Sequence, residues 1–146
     1  MNYEEVEILF VEDSIDDATL TIRALKKSGF TKKLFHVKDG AEALDFIYCK
    51  GLYELRKSKE YPKLILLDLK MPKVTGMEVL EKIKSDPNLK SIPIVILTSS
   101  KEDPDIKKCY ALGANSYIVK PVESDNFFAA IKEIGLYWMI LSEPTH

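Results

Sequence analysis

Short, nearly continuous apolar runs recur along the chain, and each predicts a buried β-strand. The clearest runs are Val6–Val11, Leu64–Leu67 and Ile94–Leu97, and weaker ones occur at Leu34–Val37 and Ser116–Val119. Because these runs lack the alternation of polar and apolar residues that marks a half-exposed strand, both faces of the sheet should be buried. The pattern therefore predicts five strands in a parallel sheet.

Segments with helical periodicity separate these strands. They cover about residues 15–28, 41–57, 75–84, 103–112 and 124–141. Strands that alternate with helices favour right-handed crossover connections and a parallel sheet. We therefore predict an α/β protein with the flavodoxin-like, doubly wound fold, in which five parallel strands run in the order 2-1-3-4-5 and helices cover both faces.

The stretch from Cys49 to Lys63 departs from this alternation, because it is polar and basic. We interpret it as the end of a long second helix followed by a surface loop, with its basic side chains on a solvated face. No repeat or low-complexity segment interrupts the chain, and only one helix fits after the fifth strand. The sequence therefore predicts a single domain over residues 1–146, with a core of about 6–141 and no output domain.

Composition and charge narrow the class of protein. Of the 146 residues, 46% are hydrophobic and 30% are charged, as in globular proteins, and the formal net charge is −2. Such a chain lacks the positive charge typical of direct nucleic-acid binding. No signal-peptide pattern opens the sequence, and no apolar run approaches the ~18 residues of a transmembrane helix. We therefore expect a cytoplasmic protein without membrane insertion.

Polar and charged residues follow four of the predicted strands. Glu12 and Asp13 follow the first strand, Asp68 the third, Thr98 the fourth and Lys120 the fifth. In a sheet of this order the carboxyl ends of these strands meet at one edge, near the point where the strand order reverses and ligands bind. The fold thus predicts a cluster of three carboxylates, a hydroxyl and an ammonium.

Carboxylates that share a small space repel one another and favour a bound cation. Carboxylate oxygens suit Mg²⁺, which commonly binds one or two carboxylates together with a phosphate. A carboxylate beside such an ion can act as a nucleophile and form an acyl phosphate. An ammonium and a hydroxyl can then stabilise the phosphoryl oxygens. The residues are therefore suited to phosphoryl-transfer chemistry.

The motifs around these residues resemble those of the response-regulator receiver domains of two-component signalling. They are FVEDS at Phe10–Ser14, LLDLKMP at Leu66–Pro72 followed by Gly76, ILT at Ile96–Thr98, and ANSYIV at Ala114–Val119 followed by Lys120 and Pro121. Each motif is weak alone, but their order and spacing are specific, and the resemblance extends from Ile8 to the last helix. The long second helix and the last helix, which contains Trp138, are further similar to single-domain regulators of phytochrome-like or archaeal hybrid histidine kinases.

The resemblance implies that Asp68 is a phosphoacceptor, which takes a phosphoryl group from the phosphohistidine of a sensor histidine kinase. It implies a Mg²⁺ site, with Mn²⁺ as a second candidate ion, whose ligands are Glu12, Asp13, Asp68 and the backbone carbonyl of Lys70. Glu12 would bind the ion directly or through water. Lys120 would pair with the phosphoryl oxygens, and Pro121 would follow a cis peptide bond. Such a protein is not an enzyme but a phosphoacceptor with at most slow autodephosphorylation.

Thr98 and Tyr117 match the switch residues of the family. Thr98 would move towards the phosphoryl group and Tyr117 would turn into the vacated space, which changes the face formed by the fourth helix, the fifth strand and the last helix. The signal would pass through protein contact or onward phosphotransfer, or the protein would act as a phosphate sink. Lys70 and Ser100 occupy positions that tune the lifetime of the phosphorylated state in the family. Tyr117 has a plain alternative as a half-buried strand aromatic.

We weigh three other functions against this one. A phosphate-independent, receiver-like interaction module would usually have lost the acceptor, an acidic partner or the lysine, and this chain keeps all of them. A haloacid dehalogenase-type phosphatase needs an Asp at the position of Lys70, and a flavin site needs a Gly- and hydroxyl-rich loop in place of Glu12 and Asp13. The residues therefore favour the phosphorylation switch, with the interaction module as the alternative.

The predicted last helix is apolar nearly all round, since Tyr137, Met139 and Ile140 fall off the stripe that should face the sheet. Such a helix is usually covered by another surface. We expect either a homodimer or kinase contact there, or a C-terminal segment that folds back onto its own domain. His36 lies in the second strand, away from the cluster, and is assigned no role.

Overall fold

Five parallel strands form one sheet in the computed structural model, which describes residues 6–27, 33–56, 61–71, 73–122, 125, 126 and 129. The strands are β1 (Ile8–Val11), β2 (Leu34–Val37), β3 (Leu64–Leu67), β4 (Ile94–Thr98) and β5 (Ser116–Val119). Their order in the sheet is β2-β1-β3-β4-β5. This confirms the predicted flavodoxin-like α/β fold and its strand order.

Four α-helices accompany the strands within the described residues: α1 (Ile15–Lys27), α2 (Gly40–Tyr48), α3 (Gly76–Ser85) and α4 (Asp103–Ala111). Local hydrogen bonds define two of the helix starts. The Asp39 side chain accepts from the N–H of Glu42 at 2.7 Å before α2, and Thr75 and Glu78 form a reciprocal capping box before α3. Such caps stabilise a helix by about 1 kcal/mol each.

The predicted last helix is only partly covered by the described residues. Residues 125, 126 and 129 are helical. The remainder of 124–141, and with it the predicted homodimer or kinase contact, lies outside the described residues. In the part of the chain that is described, no helix has the length and apolar character that crossing a bilayer requires.

Both faces of the sheet are buried, as the absence of polar alternation predicted. One core combines strand residues with apolar residues of three helices, and its members include Leu9, Val11, Ile65, Leu67 and Ile96 of the sheet with Phe46 of α2, Leu80 of α3 and Cys109 of α4. The other combines Ile8, Phe10, Leu64, Leu66 and Leu97 with Ala18 and Leu25 of α1. The two-sided burial explains why the central strands β1 and β3 are apolar along their whole length.

Helix α2 ends at Tyr48, well before the predicted end near residue 57, so the prediction of a long second helix is wrong. Cys49 adopts a left-handed conformation with φ 56°, and its N–H donates to the Asp45 carbonyl. Gly51 follows with φ 55°. Two left-handed residues so close together end an α-helix. A short 3₁₀ helix, Gly51–Tyr53, comes next.

Two residues of this segment, Tyr53 and Arg56, are buried against α2, whereas Leu52 and Leu55 are exposed. Tyr53 is buried, and its ring meets the Phe46 ring edge-on with the centroids 5.1 Å apart. Arg56 is also buried, donates its Nε–H to the Phe46 carbonyl at 2.8 Å and lies 4.2 Å from the centre of the Phe46 ring. The predicted solvated face is therefore wrong for Arg56, because the ring and the carbonyl compensate the burial of its charge.

Gly76, the first residue of α3, allows the helix to begin against the backbone of the segment that carries Asp68. Its N–H donates to the Leu69 carbonyl at 2.9 Å. A Cβ atom on Gly76 would lie 2.0 Å from the Asp68 carbonyl oxygen and 2.6 Å from the Leu69 Cα. Both are backbone atoms, so a side chain at Gly76 would displace α3 or the segment around Asp68.

We expect Gly76→Ala to lower the free energy of unfolding by about 2–3 kcal/mol, because the added methyl group collides with backbone that cannot rotate away. Urea denaturation measures this loss. Gly51→Ala is the control, since its Cβ would meet only side-chain atoms of Asp45, the nearest at 3.1 Å. Its left-handed backbone should cost about 1 kcal/mol. An equal or larger loss in Gly51→Ala would contradict the close approach as the constraint on Gly76.

Candidate functional site

The register of the sheet places the ends of β1 and β3 side by side. Val11 pairs with Leu67, and the Asp68 N–H donates to the Val11 carbonyl at 3.1 Å. Glu12 and Asp68 come directly after this pair and are therefore neighbours. One carboxylate oxygen from each of Glu12, Asp13 and Asp68 lies within 4.8 Å of the other two. The structure thus brings together the three carboxylates that the sequence pointed to.

Two of these carboxylates are buried. Glu12 is fully buried and Asp68 is 5% exposed, whereas Asp13 is exposed. Burial raises the pKa of Asp68 to about 7, and the negative charges of Glu12 and Asp13 raise it as well, while the charge of Lys120 acts in the opposite direction. A carboxyl group with such a pKa is ready to exchange its proton for a cation near neutral pH.

Lys120 supplies the positive charge of the site. Its Nζ donates to a Glu12 carboxylate oxygen, lies 3.0 Å from Oδ2 of Asp17 and lies 3.8 Å from Oδ2 of Asp68. Burial alone would lower the pKa of Lys120, but the surrounding carboxylates raise it overall. The backbone N–H of Lys120 donates to the Thr98 carbonyl at 2.8 Å, and this bond fixes the end of β5 against the end of β4. The Lys120–Pro121 peptide bond is cis, as predicted.

The donor set fits a divalent cation. Three carboxylates supply hard oxygen ligands within 4.8 Å of one another, and their combined negative charge exceeds what one lysine neutralises. Oxygen ligands of this kind are typical of Mg²⁺ and Mn²⁺ sites. Lys70, whose backbone carbonyl is the fourth predicted ligand, is exposed two residues after Asp68. Its participation stays a prediction.

The two predicted switch residues contact the same loop. Thr98 is fully buried at the end of β4, and its Oγ1 accepts from the N–H of Ser100 at 3.3 Å. Tyr117 is half-buried, and its hydroxyl donates to the Ser100 carbonyl at 2.9 Å. Burial also raises the pKa of Tyr117, so its hydroxyl stays protonated and can donate at neutral pH. Both residues therefore hold the loop that follows β4.

This loop is also joined to α4. Ser100 is buried, and its hydroxyl lies 2.6 Å from Oδ2 of Asp105, in the first turn of the helix. A displacement of Ser100 would therefore reach both the hydroxyl of Tyr117 and the start of α4.

Sequence reasoning missed two residues of the site. Asp17 lies in the first turn of α1, the helix that begins two residues after Asp13, and this position near the end of β1 could have indicated its approach to the cluster. His36 has a partner, contrary to the interpretation that gave it no role, since its Nε2 lies 2.7 Å from the Glu12 carbonyl oxygen. Its ring packs near Phe10, with the centroids 5.4 Å apart. Only the pairing of β1 with β2 brings His36 to this carbonyl.

Comparison with known proteins identifies a family and several relatives of similar sequence. A family model for the response regulator receiver domain matches residues 8–132. The probable methanogenesis regulatory protein FilR2 of Methanothrix harundinacea is 39% identical over 132 residues, which cover 90% of this chain and 83% of FilR2. Response regulator Rcp1 of Synechocystis sp. is 39% identical over 132 residues, which cover 90% of this chain and 88% of Rcp1. The similarity therefore spans most of each protein.

Solved structures show the same fold. The bacteriophytochrome response regulator RtBRR superimposes with a TM-score of 0.84 and 48% identity, over 94% of this chain and 82% of that one. The Mn²⁺-bound form of Rcp1 gives a TM-score of 0.73 and 38% identity, over 94% of this chain and 98% of that one. The phosphorylated cyanobacterial phytochrome response regulator RcpA gives a TM-score of 0.73 and 38% identity, over 92% of this chain and 94% of that one.

We expect Asp68→Asn to raise the free energy of unfolding at about pH 8 without divalent cations, by about 1–3 kcal/mol. The folded protein binds the Asp68 proton more tightly than the unfolded chain, whose carboxyl has a pKa near 3.8. The cost of the charged carboxylate is therefore absent below pH 3.8, grows as the pH rises and is complete above about 7. Urea denaturation across this pH range should show the gain disappearing towards pH 4.

Asp13→Asn is the matched control for this experiment. It removes the same charge from an exposed position of the same cluster, so its gain should be smaller. If both variants gave equal gains at every pH, surface repulsion and not the burial of Asp68 would explain the effect.

Proposed function

The chain belongs to the response regulator receiver domain family of two-component signalling, and on this premise we propose that it is a switch controlled by phosphorylation of Asp68. One observation carries the proposal. The Asp68 carboxylate is buried at the end of β3, within 4.8 Å of Glu12 and Asp13, and Nζ of Lys120 lies 3.8 Å from it. Receiver domains are phosphorylated by histidine kinases, so the proposed donor is a sensor histidine kinase.

In the proposed reaction an Asp68 carboxylate oxygen attacks the phosphorus of the donor's phosphohistidine. A P–O bond forms while the P–N bond breaks, and the released imidazole takes up a proton. Asp68 must be ionised to act as the nucleophile; burial raises its pKa, and the nearby charge of Lys120 acts against that rise. The Lys120 ammonium then donates to an oxygen of the bound phosphoryl group. Hydrolysis of the acyl phosphate by the protein itself is at most slow, so the chain is a phosphoacceptor and not an enzyme.

We propose that Glu12, Asp13 and Asp68 hold the divalent cation, with the backbone carbonyl of Lys70 as a further ligand. Mg²⁺ is the proposed ion, and the Mn²⁺-bound form of Rcp1 supports a divalent site in a relative. When bound, the ion would neutralise the carboxylates and the oxygens of the phosphoryl group. The exposure of Asp13 leaves this side of the cluster open to a phosphodonor.

The proposed switch runs from Thr98 through the loop after β4. Thr98 would turn its hydroxyl to the phosphoryl group, which breaks its contact with the N–H of Ser100. The Ser100 carbonyl accepts a hydrogen bond from the Tyr117 hydroxyl, and it would then move. Tyr117 would turn inward as a result. The altered surface around α4 and β5 would signal through protein contact or pass the phosphoryl group on.

The relatives support one class of histidine kinase as the partner of this protein. RtBRR and RcpA are bacteriophytochrome and phytochrome response regulators, which favours a phytochrome-type histidine kinase as the partner. The similarity to FilR2, a probable methanogenesis regulatory protein, supports an archaeal hybrid histidine kinase as the alternative partner. The single-domain organisation, the cytoplasmic location and the homodimer stay predictions.

We expect the intact protein to gain one phosphoryl group when it is incubated with acetyl phosphate and Mg²⁺, because the Asp68 carboxylate is the nucleophile of the site. Intact-mass spectrometry measures this gain. Asp68→Asn, or EDTA added to the parent, should abolish it, whereas Asp16→Asn, at an exposed position of α1, should keep it. Failure of the folded parent with both acetyl phosphate and a cognate kinase would support the phosphate-independent module instead.

We expect Thr98→Ala to bind the phosphoryl analogue beryllofluoride in the presence of Mg²⁺ without passing the change on to Tyr117. The hydroxyl that joins the phosphoryl group to the Ser100 loop is then missing. Amide NMR shifts of Ser100 and Tyr117 on addition of the analogue measure the response. Thr19→Ala, on the exposed side of α1, should respond like the parent. Full parent-like shifts in Thr98→Ala would contradict the proposed path.

A further inference from the structure

Asp17 shares the Lys120 ammonium with the buried carboxylates of the site. Its Oδ2 lies 3.0 Å from Nζ of Lys120, which is within hydrogen-bond distance. Oδ2 of Asp68 lies 3.8 Å from the same nitrogen, which is beyond it. In this unphosphorylated state the lysine therefore makes its hydrogen bonds with Glu12 and Asp17 and only an ion pair with Asp68.

A phosphoryl group on Asp68 would add a strong hydrogen-bond acceptor next to this ammonium. An ammonium has three protons to donate, and two of them are directed at Glu12 and Asp17. A phosphoryl dianion next to the lysine is a strong acceptor and favours a short, charge-assisted hydrogen bond. Nζ is held at its present position by Glu12 and Asp17, 3.8 Å from Oδ2 of Asp68, so a shift of the ammonium towards the phosphoryl group would lengthen one of these two contacts.

Burial decides which partner is released. The Glu12 side chain is fully buried, so water cannot take the place of the lysine at its carboxylate. The Asp17 side chain is 45% exposed, so water can replace the lysine at little cost. Asp17 and Lys120 also line an open cavity of about 450 Å³ beside Leu20, Ser99 and Pro121, so water can reach the Asp17 side of the ammonium.

We propose that Asp17 regulates the phosphorylated state by competing with the phosphoryl group on Asp68 for Lys120. The inference rests on the proposed function, since it assumes that Asp68 carries a phosphoryl group. Asp17 is a positioning residue in this scheme: it acts through Lys120 and touches no reacting atom. By holding the lysine in the unphosphorylated state, it weakens the binding of a phosphoryl group or its analogue.

A structural role for Asp17 makes a different prediction. Asp17 is an acidic residue in the first turn of α1, where a negative charge stabilises the positive end of the helix. Asp16 occupies the same turn, is exposed and has the same charge. Asp16→Asn therefore reproduces the loss of charge at the helix start, and Asp17→Glu keeps the charge that can reach the lysine.

The test measures the dissociation constant of beryllofluoride at saturating Mg²⁺ by ¹⁹F NMR, and that of Mg²⁺ alone, for the parent and the three variants. Asp17→Asn should bind beryllofluoride about two- to fivefold more tightly than the parent, as expected for the loss of a partly exposed ion pair. Asp16→Asn and Asp17→Glu should stay close to the parent. The affinity for Mg²⁺ should change no more in Asp17→Asn than in Asp16→Asn.

Each other outcome overturns a specific statement. Equal or weaker binding of beryllofluoride to Asp17→Asn, compared with Asp16→Asn, would overturn the competition. Tighter binding of beryllofluoride together with weaker binding of Mg²⁺ would assign the effect to charge acting through space and would also overturn it. Failure of the folded parent to bind beryllofluoride at any Mg²⁺ concentration would instead overturn the proposed function, whatever the variants do.

Discussion

The structure depends on a lysine that compensates the negative charges of two carboxylates buried side by side, those of Glu12 and Asp68. The pairing of β1 with β3 fixes the backbone of Glu12 next to that of Asp68, so their side chains cannot move far apart. Their burial and repulsion raise the pKa of Asp68 to about 7. Lys120, at the end of β5, supplies the compensating charge, since an unpaired buried carboxylate is costly. The ammonium that stabilises the site therefore lies where a phosphoryl group would need a cation.

Close backbone contacts hold the segments that carry Asp68 and Lys120, and the loop after β4 forms the adjustable side of this cluster. Gly76 packs against the backbone of Asp68, and Lys120 is hydrogen-bonded through its backbone to Thr98. In contrast, the loop after β4 is held by single side-chain contacts, among them those of Ser100 with Tyr117 and Asp105. Single contacts can exchange without unfolding a strand, which makes this loop the natural path of a conformational signal.

The segment after α2 shows where local patterns fail. Apolar residues continue at a helical spacing beyond Tyr48, so the periodicity predicts a longer helix. The left-handed conformation of Cys49 and the packing of Tyr53 and Arg56 on Phe46 determine the actual path. In a continuous helix Tyr53 and Arg56 would lie about two or more turns beyond Phe46, roughly 10 Å or more along the axis, too far for these contacts. A single sequence contains no signal for them, because a basic residue is usually solvated and here a ring and a carbonyl take the place of water.

The sequence by itself determined the five strands, their order and the edge at which Glu12, Asp13, Asp68, Thr98 and Lys120 meet. It could do so because a strand buried on both faces must be apolar throughout, and because parallel strands of this order carry their next residues to the same edge. Only the tertiary structure decided that Asp17 shares Lys120, that His36 contacts the Glu12 carbonyl and that burial raises the pKa of Asp68 to about 7. Distance and solvent exposure set these interactions, and both are properties of the packed chain.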